Sequence, residues 1–431
     1  MDLIGVLDNT IKRIYSDSLY RNGIYLLLSS AITNGLGFVF WIVAARLYPA
    51  ASIGLNTAAI SAAMLISSLS NLGINQSLVR FLPIQGDSAR QFINSSLTFV
   101  GIVAIILLVI FLSGMSVWLP ALLPIFNQPI YVIALALLAV LQPVLSLAGQ
   151  ASIARHKSNF VFIQNAIVGF VKLAALLLLA TSFADFGILS SWGIAMLLTF
   201  PISILLFVPK SVPGYRFSPS LNKDILKDIT KYSFANYLAD ILWMSPAMIL
   251  PLLITNILGT VQNAYFFIAW NIVNVIAAIP IALSTSLFAE GANEAAYMAG
   301  RLRKCVSAIA TILIPVVIMV VCFADIILLL FGTQYSENST NLLRVIALST
   351  IPLSINLVYI YMMRIQNEMR GAIGVAFTIN FITIFVSIVL LPKLGVLGAA
   401  LAWLSAQIIP AGVILFTVGW KRWMAGKSHV S

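Results

Sequence analysis

The sequence predicts an all-α polytopic membrane protein in which about twelve transmembrane helices form two six-helix lobes related by pseudo-two-fold symmetry. The first supporting observation is composition: 61% of the 431 residues are apolar and only 9% are charged, whereas soluble domains carry about 25% charged residues. The second is the length of the uncharged runs, and the third is the position of basic residues between those runs. Together they exclude a soluble enzyme, a disordered chain and a secreted disulfide scaffold.

The uncharged runs divide into pieces of helix length. Residues 91–154 and 241–289, for example, contain no Asp, Glu, Lys or Arg, and a spanning helix needs about 20 apolar residues. Division at Pro, Gly and polar clusters predicts twelve spans, at 23–45, 52–80, 91–114, 129–153, 159–181, 187–208, 231–254, 262–289, 303–330, 340–365, 370–391 and 395–419.

The basic residues predict the orientation. With the N-terminus in the cytoplasm, all but four of the 24 Lys and Arg residues fall in cytoplasmic segments, as the positive-inside rule requires. The exceptions are Arg46, Lys172, Arg344 and Lys393. Both termini are therefore predicted to be cytoplasmic, in the cell (inner or plasma) membrane. Because topology explains the net charge of +11, no nucleic-acid partner is predicted.

A polar segment near the midpoint predicts the domain organisation. Residues 209–230 contain three prolines and are expected to be a cytoplasmic linker between an N-terminal lobe at 1–208 and a C-terminal lobe at 231–431. Residues 1–20 are expected to form an amphipathic segment on the membrane surface. A faint repeat at a shift of about 210 residues indicates parallel repeats. Transporters built from such repeats bind substrate between their lobes near mid-membrane.

Three short motifs resemble one transporter family. Residues 45–49, Ala-Arg-Leu-Tyr-Pro, followed by Gly54, are similar to the outer turn between the first two helices of polysaccharide and O-antigen flippases of the multidrug/oligosaccharidyl-lipid/polysaccharide (MOP) superfamily. The segment from Asn71-Leu72-Gly73 to Arg80-Phe81 resembles the end of that family's second helix. Residues 394–402, Leu-Gly-Val-Leu-Gly-Ala-Ala-Leu-Ala, resemble the start of its last helix pair.

The resemblance implies a MATE-like, V-shaped pair of six-helix bundles that works as a flippase. It implies that the protein moves an undecaprenyl- or dolichyl-(pyro)phosphate-linked oligosaccharide from the inner to the outer leaflet by alternating access. The product would serve the assembly of cell-surface polysaccharide, such as O-antigen and lipopolysaccharide. The implied partners are this polyprenyl-linked oligosaccharide, membrane lipids and other membrane proteins of glycan assembly. The resemblance does not specify the glycan or the carrier.

Polar side chains inside the predicted spans supply the candidate substrate site. Burying an unpaired polar sugar in hydrocarbon costs several kcal/mol per group, so a flippase needs a polar cavity with amides, hydroxyls and a cation for phosphate. The same asparagines could instead only join helices to one another. The candidates for substrate binding are Asn34, Asn71, Asn75, Lys172, Asn236, Asp240, Asn271 and Asn274.

Two of these candidates carry charge within predicted spans. Lys172 lies about 20 Å along span five and could bind pyrophosphate, or could pair structurally with a helix. Asp240 lies about 15 Å into span seven and could couple transport to H+ or Na+, or could simply pair with Lys172. No other cofactor and no metal site are predicted. Arg364, near the inner end of span ten, is expected only to reflect the positive-inside bias.

A charged pair is predicted to gate the cytoplasmic side. The 210-residue shift aligns Arg80 with Glu290, at the ends of spans two and eight. An ion pair there would form when the inner side closes and would part when it opens. Alternatively, Arg80 only anchors its span and Glu290 meets Arg301 or Arg303 nearby.

Enzyme chemistry has little support in the sequence. The chain has no Walker-type phosphate loop, paired-cysteine site or Gly-x-Ser-x-Gly element, so it is not predicted to be an enzyme. Within transporters, the alternative is a cation-coupled multidrug exporter of the same superfamily, which would prefer acidic pocket residues. Among enzymes, the alternative is a membrane polysaccharide polymerase or ligase, which is expected to carry acidic or basic clusters on sizeable outer loops.

Overall fold

The computed structural model describes residues 18–123, 128–180, 187–291, 298–366 and 368–427. These residues form helices and turns, without a strand among them. Twelve helices in this part of the chain are long and apolar enough to cross a membrane, so the predicted fold class is confirmed. Numbered α1–α12, they are Ser18–Leu47, Ala50–Asn71, Ala89–Ser113, Pro129–Ala154, Ser158–Ala180, Gly187–Ser211, Lys223–Leu258, Thr260–Gly291, Met298–Cys322, Thr333–Ile365, Met369–Leu394 and Val396–Lys427. The amphipathic segment predicted at 1–20 lies largely outside the described residues.

The prediction for span two is wrong in its length, because the helix breaks inside it. Helix α2 ends at Asn71, and Leu72 and Gly73 have positive φ angles of 44° and 82°. A left-handed backbone cannot continue a right-handed helix, and glycine accepts that conformation at little cost. The separate helix Ile74–Phe81 follows, so Arg80 lies on this short helix and not on α2.

Two spans of the second half also differ from the prediction. Predicted span 303–330 ends early, because α9 stops at Cys322 and a short helix, Ala324–Leu329, follows a turn. Helix α10 begins at Thr333, before the predicted residue 340, and turns at Ser349 between two helical segments. The turns at Phe323 and Ser349 fall within apolar runs, whereas the early start of α10 at Thr333 falls on a polar stretch.

The described chain forms two compact units. Unit 1 contains Met1–Tyr48 and Ala62–Tyr237, and unit 2 contains Pro49–Ser61 and Leu238–Ser431. The N-terminal half of α2 therefore groups with unit 2, and the predicted linker 209–230 groups with unit 1.

In unit 1, α5 packs against α1 and α6, while α4 packs against α3 and α6. Small residues allow close helix approach: a Cβ added at Gly193 on α6 would lie 3.4 Å from the Cα atom of Ala134 on α4. One buried apolar cluster joins α3, α4 and the end of α6 to the short helix after α2, and it includes Leu78, Ile93 and Leu147.

In unit 2, α8 packs against α9, α10 and α12, and α11 packs along α12. The start of α2 joins this unit at Gly54, where an added Cβ would lie 1.6 Å from the carbonyl oxygen of Thr260. Asn263 Nδ2 donates hydrogen bonds to the Gly54 carbonyl oxygen at 2.6 Å and to Thr57 Oγ1 at 3.1 Å. Only glycine permits so close a backbone approach, which explains the glycine of the turn motif.

The linker packs against unit 1. Tyr215 Oη donates a 2.8 Å hydrogen bond to Asn94 Oδ1 on α3, and Asn94 Nδ2 donates to the Arg216 carbonyl oxygen at 3.0 Å. Burial raises the pKa of the Tyr215 phenol, an effect that the positive charge of Arg90 partly offsets. Helix α7 begins at Lys223, so the second part of the predicted linker is helical.

Candidate functional site

An ion pair joins α7 and α10 in unit 2. Arg364 Nη2 lies 2.6 Å from Asp240 Oδ1, and the two side chains are 21% and 34% exposed. The guanidinium carbon of Arg364 lies 5.7 Å from the centroid of the Tyr361 ring. The Tyr361 hydroxyl lies 3.1 Å from Thr285 Oγ1 on α8. We refer to these four residues as the Arg364 cluster.

The Arg364 cluster lies at the last turn of α10. Asp240 lies 17 residues after the start of α7 at Lys223. Arg364 immediately precedes Ile365, the last residue of α10, and Thr285 lies six residues before the end of α8 at Gly291. Side chains of α7 and α8 therefore meet the last turn of α10.

The cluster corrects two expectations about its charges. Arg364 is not merely a positive-inside residue, because it carries the ion pair. Asp240 pairs with Arg364, in place of the Lys172 pairing considered above. The sequence could have indicated this, because a carboxylate within a span needs a cation at matching depth, and Arg364 ends a predicted span.

The guanidinium has hydrogen-bonding capacity to spare. Arg364 Nε is buried and has no hydrogen-bond partner among the described residues. A guanidinium carries five N–H donors in a planar fork that matches carboxylate or phosphate oxygens two at a time. The chemistry of the Arg364 cluster is therefore suited to binding an anion through the guanidinium. The Tyr361 and Thr285 hydroxyl groups belong to the same cluster.

Lys172 occupies an aromatic environment in unit 1. Its side chain is 7% exposed, and Nζ lies 4.7 Å from the ring centroid of Phe40 on α1 and 4.1 Å from that of Trp192 on α6. Among the described residues, no carboxylate lies within ion-pair distance of the ammonium. Desolvated cation–π contacts of this kind are worth about 2 kcal/mol. They hold α5 against α1 and α6, while the predicted contact with pyrophosphate stays a prediction.

Two predicted asparagines of unit 1 have spare acceptors. Asn75 Nδ2 donates to Ser146 Oγ on α4 at 3.3 Å, and Asn71 Nδ2 donates to the Ser67 carbonyl oxygen at 3.1 Å. Both Oδ1 atoms are buried without a hydrogen-bond partner in the described part of the chain. A buried unsatisfied acceptor costs about 1–3 kcal/mol, so these atoms are suited to accept hydrogen bonds from hydroxyl groups.

The other predicted asparagines are dispersed. Asn34 on α1 and Asn274 on α8 are exposed, and Asn236 is half-buried. Asn271 Nδ2 donates to the Phe267 carbonyl oxygen of its own helix at 2.9 Å. No hydrogen bond among the described residues brings these four together, so their substrate contacts stay predictions.

The predicted gate also stays a prediction. Arg80 is exposed, and its guanidinium carbon lies 5.7 Å from the Phe81 ring centroid. The side chain of Glu290 lies outside the described residues.

Sequence reasoning missed two amide contacts that join helices in unit 2. Asn356 Nδ2 on α10 donates to the carbonyl oxygen and Oε1 of Gln407 on α12, both at 2.9 Å. Asn380 Nδ2 on α11 donates hydrogen bonds to Ser245 Oγ and to the Leu242 carbonyl oxygen on α7. Both fit the helix-joining role of membrane amides. The described residues contain no group of three or more His, Cys, Asp or Glu placed to hold a metal ion.

The turn motif between α1 and α2 has a structural explanation. Tyr48 Oη donates a 3.0 Å hydrogen bond to the Leu176 carbonyl oxygen on α5. A Cβ added at Gly187, at the start of α6, would lie 2.0 Å from that hydroxyl. Burial raises the pKa of the Tyr48 phenol to about 12. Tyr48 therefore fixes the turn onto α5 and α6.

Comparison with known proteins identifies relatives in sequence and in fold. A family model described as polysaccharide biosynthesis protein matches residues 19–288, more than half of the chain. The solved structure of the lipid II flippase MurJ, in an inward closed conformation, has a TM-score of 0.75 and 13% identity, and the match covers 92% of this chain and 87% of that one. No curated protein sequence matches the chain.

Two further solved structures share the fold. An inward-facing multidrug resistance MATE family transporter of the MOP superfamily matches with a TM-score of 0.62 at 16% identity, over 94% of this chain and 99% of that one. A MOP superfamily transporter from Pyrococcus furiosus Vc1 matches with a TM-score of 0.61 at 15% identity, over 95% and 96% respectively. The predicted all-helical fold with twelve spans is confirmed, and the solved structures that share it are MOP superfamily transporters.

Proposed function

We propose, on the premise that the chain belongs to the polysaccharide biosynthesis protein family, that it is a flippase for a polyprenyl-(pyro)phosphate-linked oligosaccharide. The chain is a multi-pass membrane protein with the fold of MOP superfamily transporters, and the family resemblance expected from its motifs is confirmed. The proposed action moves the oligosaccharide from the cytoplasmic to the outer leaflet of the cell membrane by alternating access. The match of the family model over residues 19–288 is the observation that carries this proposal.

The polar groups of each unit support the proposal. Moving sugars through hydrocarbon requires hydrogen-bond partners that replace water, and unit 1 offers the spare acceptors of Asn71 and Asn75. Moving phosphate requires cations, and unit 2 offers Arg364 beside Asp240. We propose Lys172 as a second cation, which needs Phe40 and Trp192 to move before a ligand can reach it. Asn34, Asn236, Asn271 and Asn274 complete the proposed substrate contacts.

The rival transporter function fits the observed charges less well. A cation-coupled drug exporter would offer a carboxylate to a cationic ligand. Asp240 instead forms an ion pair with Arg364, so the charge of the carboxylate is already compensated. Within the proposal, both termini and the linker face the cytoplasm, as the distribution of Lys and Arg predicts. Membrane lipids and other proteins of glycan assembly are its proposed partners.

Deletion in the native host tests the proposal. Without the flippase, lipid-linked oligosaccharide should accumulate in the cytoplasmic leaflet, inaccessible to an impermeant lectin added to spheroplasts, while surface polysaccharide is lost. Complementation with the wild-type chain should restore both. Normal surface export in the deletion strain would overturn the proposed flippase function. Accumulation of shortened or unpolymerised glycans on the outer leaflet would also overturn it, and would favour a polymerase or ligase.

A further inference from the structure

We propose that Arg364 is the phosphate-binding residue of unit 2, and that Asp240 occupies it until a polyprenyl pyrophosphate displaces the carboxylate. The inference rests on the proposed function and names the contact that recognises the charged part of the substrate. It assigns Arg364 a ligand, and it gives Asp240 the role of an internal competitor.

The depth of Arg364 matches the depth of a lipid phosphate. Arg364 lies one residue before Ile365, where the candidate span of α10 ends, so its Cα atom is about 2 Å from that end. The phosphate of a membrane lipid lies in the polar boundary and not in the hydrocarbon core. A cation at this level meets the phosphate of a lipid-linked sugar before the sugars enter the membrane.

The N–H groups of the Arg364 guanidinium that do not contact Asp240 are suited to binding phosphate oxygens. Its Nη2 contacts Asp240 Oδ1 at 2.6 Å, while its buried Nε has no partner among the described residues. A single carboxylate contact therefore leaves the guanidinium fork underused, although arginine binds phosphate best with two parallel N–H groups. The Tyr361 ring beside the guanidinium restricts its orientation, as aromatic rings do when arginine stacks on them.

Displacement of Asp240 is physically accessible. The two side chains are 21% and 34% exposed, and ion pairs with such contact to solvent contribute little to stability. A pyrophosphate carries more negative charge and more acceptor oxygens than one carboxylate. It can therefore replace Asp240 on the guanidinium, and the Thr285 and Tyr361 hydroxyl groups, 3.1 Å apart, lie beside the new contact.

Competition predicts opposite effects for the two partners. Arg364→Ala removes the cation and should weaken pyrophosphate binding by about tenfold to hundredfold, since a hydrogen bond to a charged group is lost. Asp240→Asn removes the competitor while keeping its shape, and should tighten binding by up to about fivefold. A purely structural ion pair predicts instead that both variants weaken binding or leave it unchanged.

The test is a binding titration on the purified full-length protein in neutral detergent, using farnesyl pyrophosphate as the probe. The expected order of affinity is Asp240→Asn, then wild type, then Arg364→Ala, with Arg364→Lys between the last two because charge survives without the fork. Arg344→Ala, in the first half of α10, is the matched control and should bind as the wild type does. Unfolding temperatures identify any variant that fails to fold, and Arg364→Lys then replaces Arg364→Ala in the order.

Three other probes separate the sources of the phosphate. Farnesol should bind all variants equally, because it lacks the phosphate. Inorganic pyrophosphate should show the same order of variants at weaker affinity. Vesicles of phosphatidylglycerol should not compete with farnesyl pyrophosphate; equal competition would assign the site to bulk lipid and overturn the substrate role. Equal farnesyl pyrophosphate affinity in wild type, Asp240→Asn and Arg364→Ala would overturn the inference, while export by the intact chain in cells would leave the proposed function standing.

Discussion

The side-chain amide of Asn263 donates a 2.6 Å hydrogen bond to the backbone carbonyl of Gly54, although 209 positions separate the two residues. This bond exists because a glycine lets α2 lie directly on α8. Helices in a membrane associate through such close packing and polar contacts, since burial of apolar surface provides no driving force between them.

The contact at Gly54 predicts a large packing defect. In Gly54→Ala the new methyl group would lie 1.6 Å from the Thr260 carbonyl oxygen, and backbone cannot yield as a side chain can. We expect a loss of at least about 1–3 kcal/mol, the usual cost of overpacking, measured as a lower unfolding temperature in detergent. Gly35→Ala on α1 is the control, because a Cβ there meets nothing within 4 Å. An unchanged unfolding temperature for Gly54→Ala would show that α2 and α8 are not this close.

The Tyr48 phenol predicts a pH dependence at alkaline pH. Because burial raises its pKa to about 12, folding favours the neutral phenol over the phenolate. Its stabilising contribution is complete below pH 10, near the unfolded pKa, and is lost as the pH rises toward 12. Tyr48→Phe removes this group, and also a hydrogen bond worth about 1 kcal/mol. We expect the variant to be less stable at pH 8 and to lose less further stability between pH 10 and pH 12 than the wild type. Parallel stability curves would contradict the assignment.

The linker contact at Asn94 predicts protease resistance. Asn94→Ala leaves the Tyr215 hydroxyl without its acceptor and leaves the Arg216 carbonyl only the 3.3 Å hydrogen bond from Arg90 Nε, at a cost of about 1–3 kcal/mol. We expect faster tryptic cleavage after Arg216 in the detergent-solubilised variant. Asn338→Ala provides the control, because that exposed amide donates to a carbonyl of its own helix. Equal cleavage rates in both variants would show that the linker is held by other contacts.

The charge distribution predicts which side the linker faces. Single cysteines at Ser218 and Ser116, both exposed, are introduced after replacement of Cys305 and Cys322. An impermeant thiol reagent added to intact cells should label Ser116→Cys, whereas Ser218→Cys should react only after permeabilisation. The reverse pattern would invert the proposed orientation.

Lys172 allows its structural and ligand-binding roles to be separated. Lys172→Met keeps the packing of the aliphatic side chain against Phe40 and Trp192 but removes the charge. If the ammonium meets phosphate during transport, export should fall strongly at normal protein level, and Lys172→Arg should retain part of it. Lys157→Met, at an exposed position, should export normally. Full export by Lys172→Met would limit the lysine to its aromatic contacts.

The membrane fold could be predicted from the sequence, because the length of an apolar run and the basic residues beside it are properties of single segments. The break at Leu72 and Gly73 was not predicted, because the segment lacks charged residues before Arg80 and was therefore counted as one uncharged run. The pairing of Asp240 with Arg364 was also missed. Contacts between helices depend on rotation and depth, and 124 residues separate the two partners. Lys172 was recognised as unusual, but the rings that surround it come from two other helices.

The proposed function requires that this chain translocates a lipid-linked oligosaccharide without forming a new glycosidic bond. The most direct test reconstitutes the purified protein into liposomes that contain a fluorescent polyprenyl-pyrophosphate oligosaccharide in both leaflets. An impermeant glycosidase then digests whatever reaches the outer leaflet. We predict that digestion approaches completion in vesicles with the protein and stops at the outer-leaflet fraction in empty vesicles, with no longer glycan produced. Digestion that stops at the same fraction in both preparations, or the appearance of elongated glycan, would contradict the proposed flippase function.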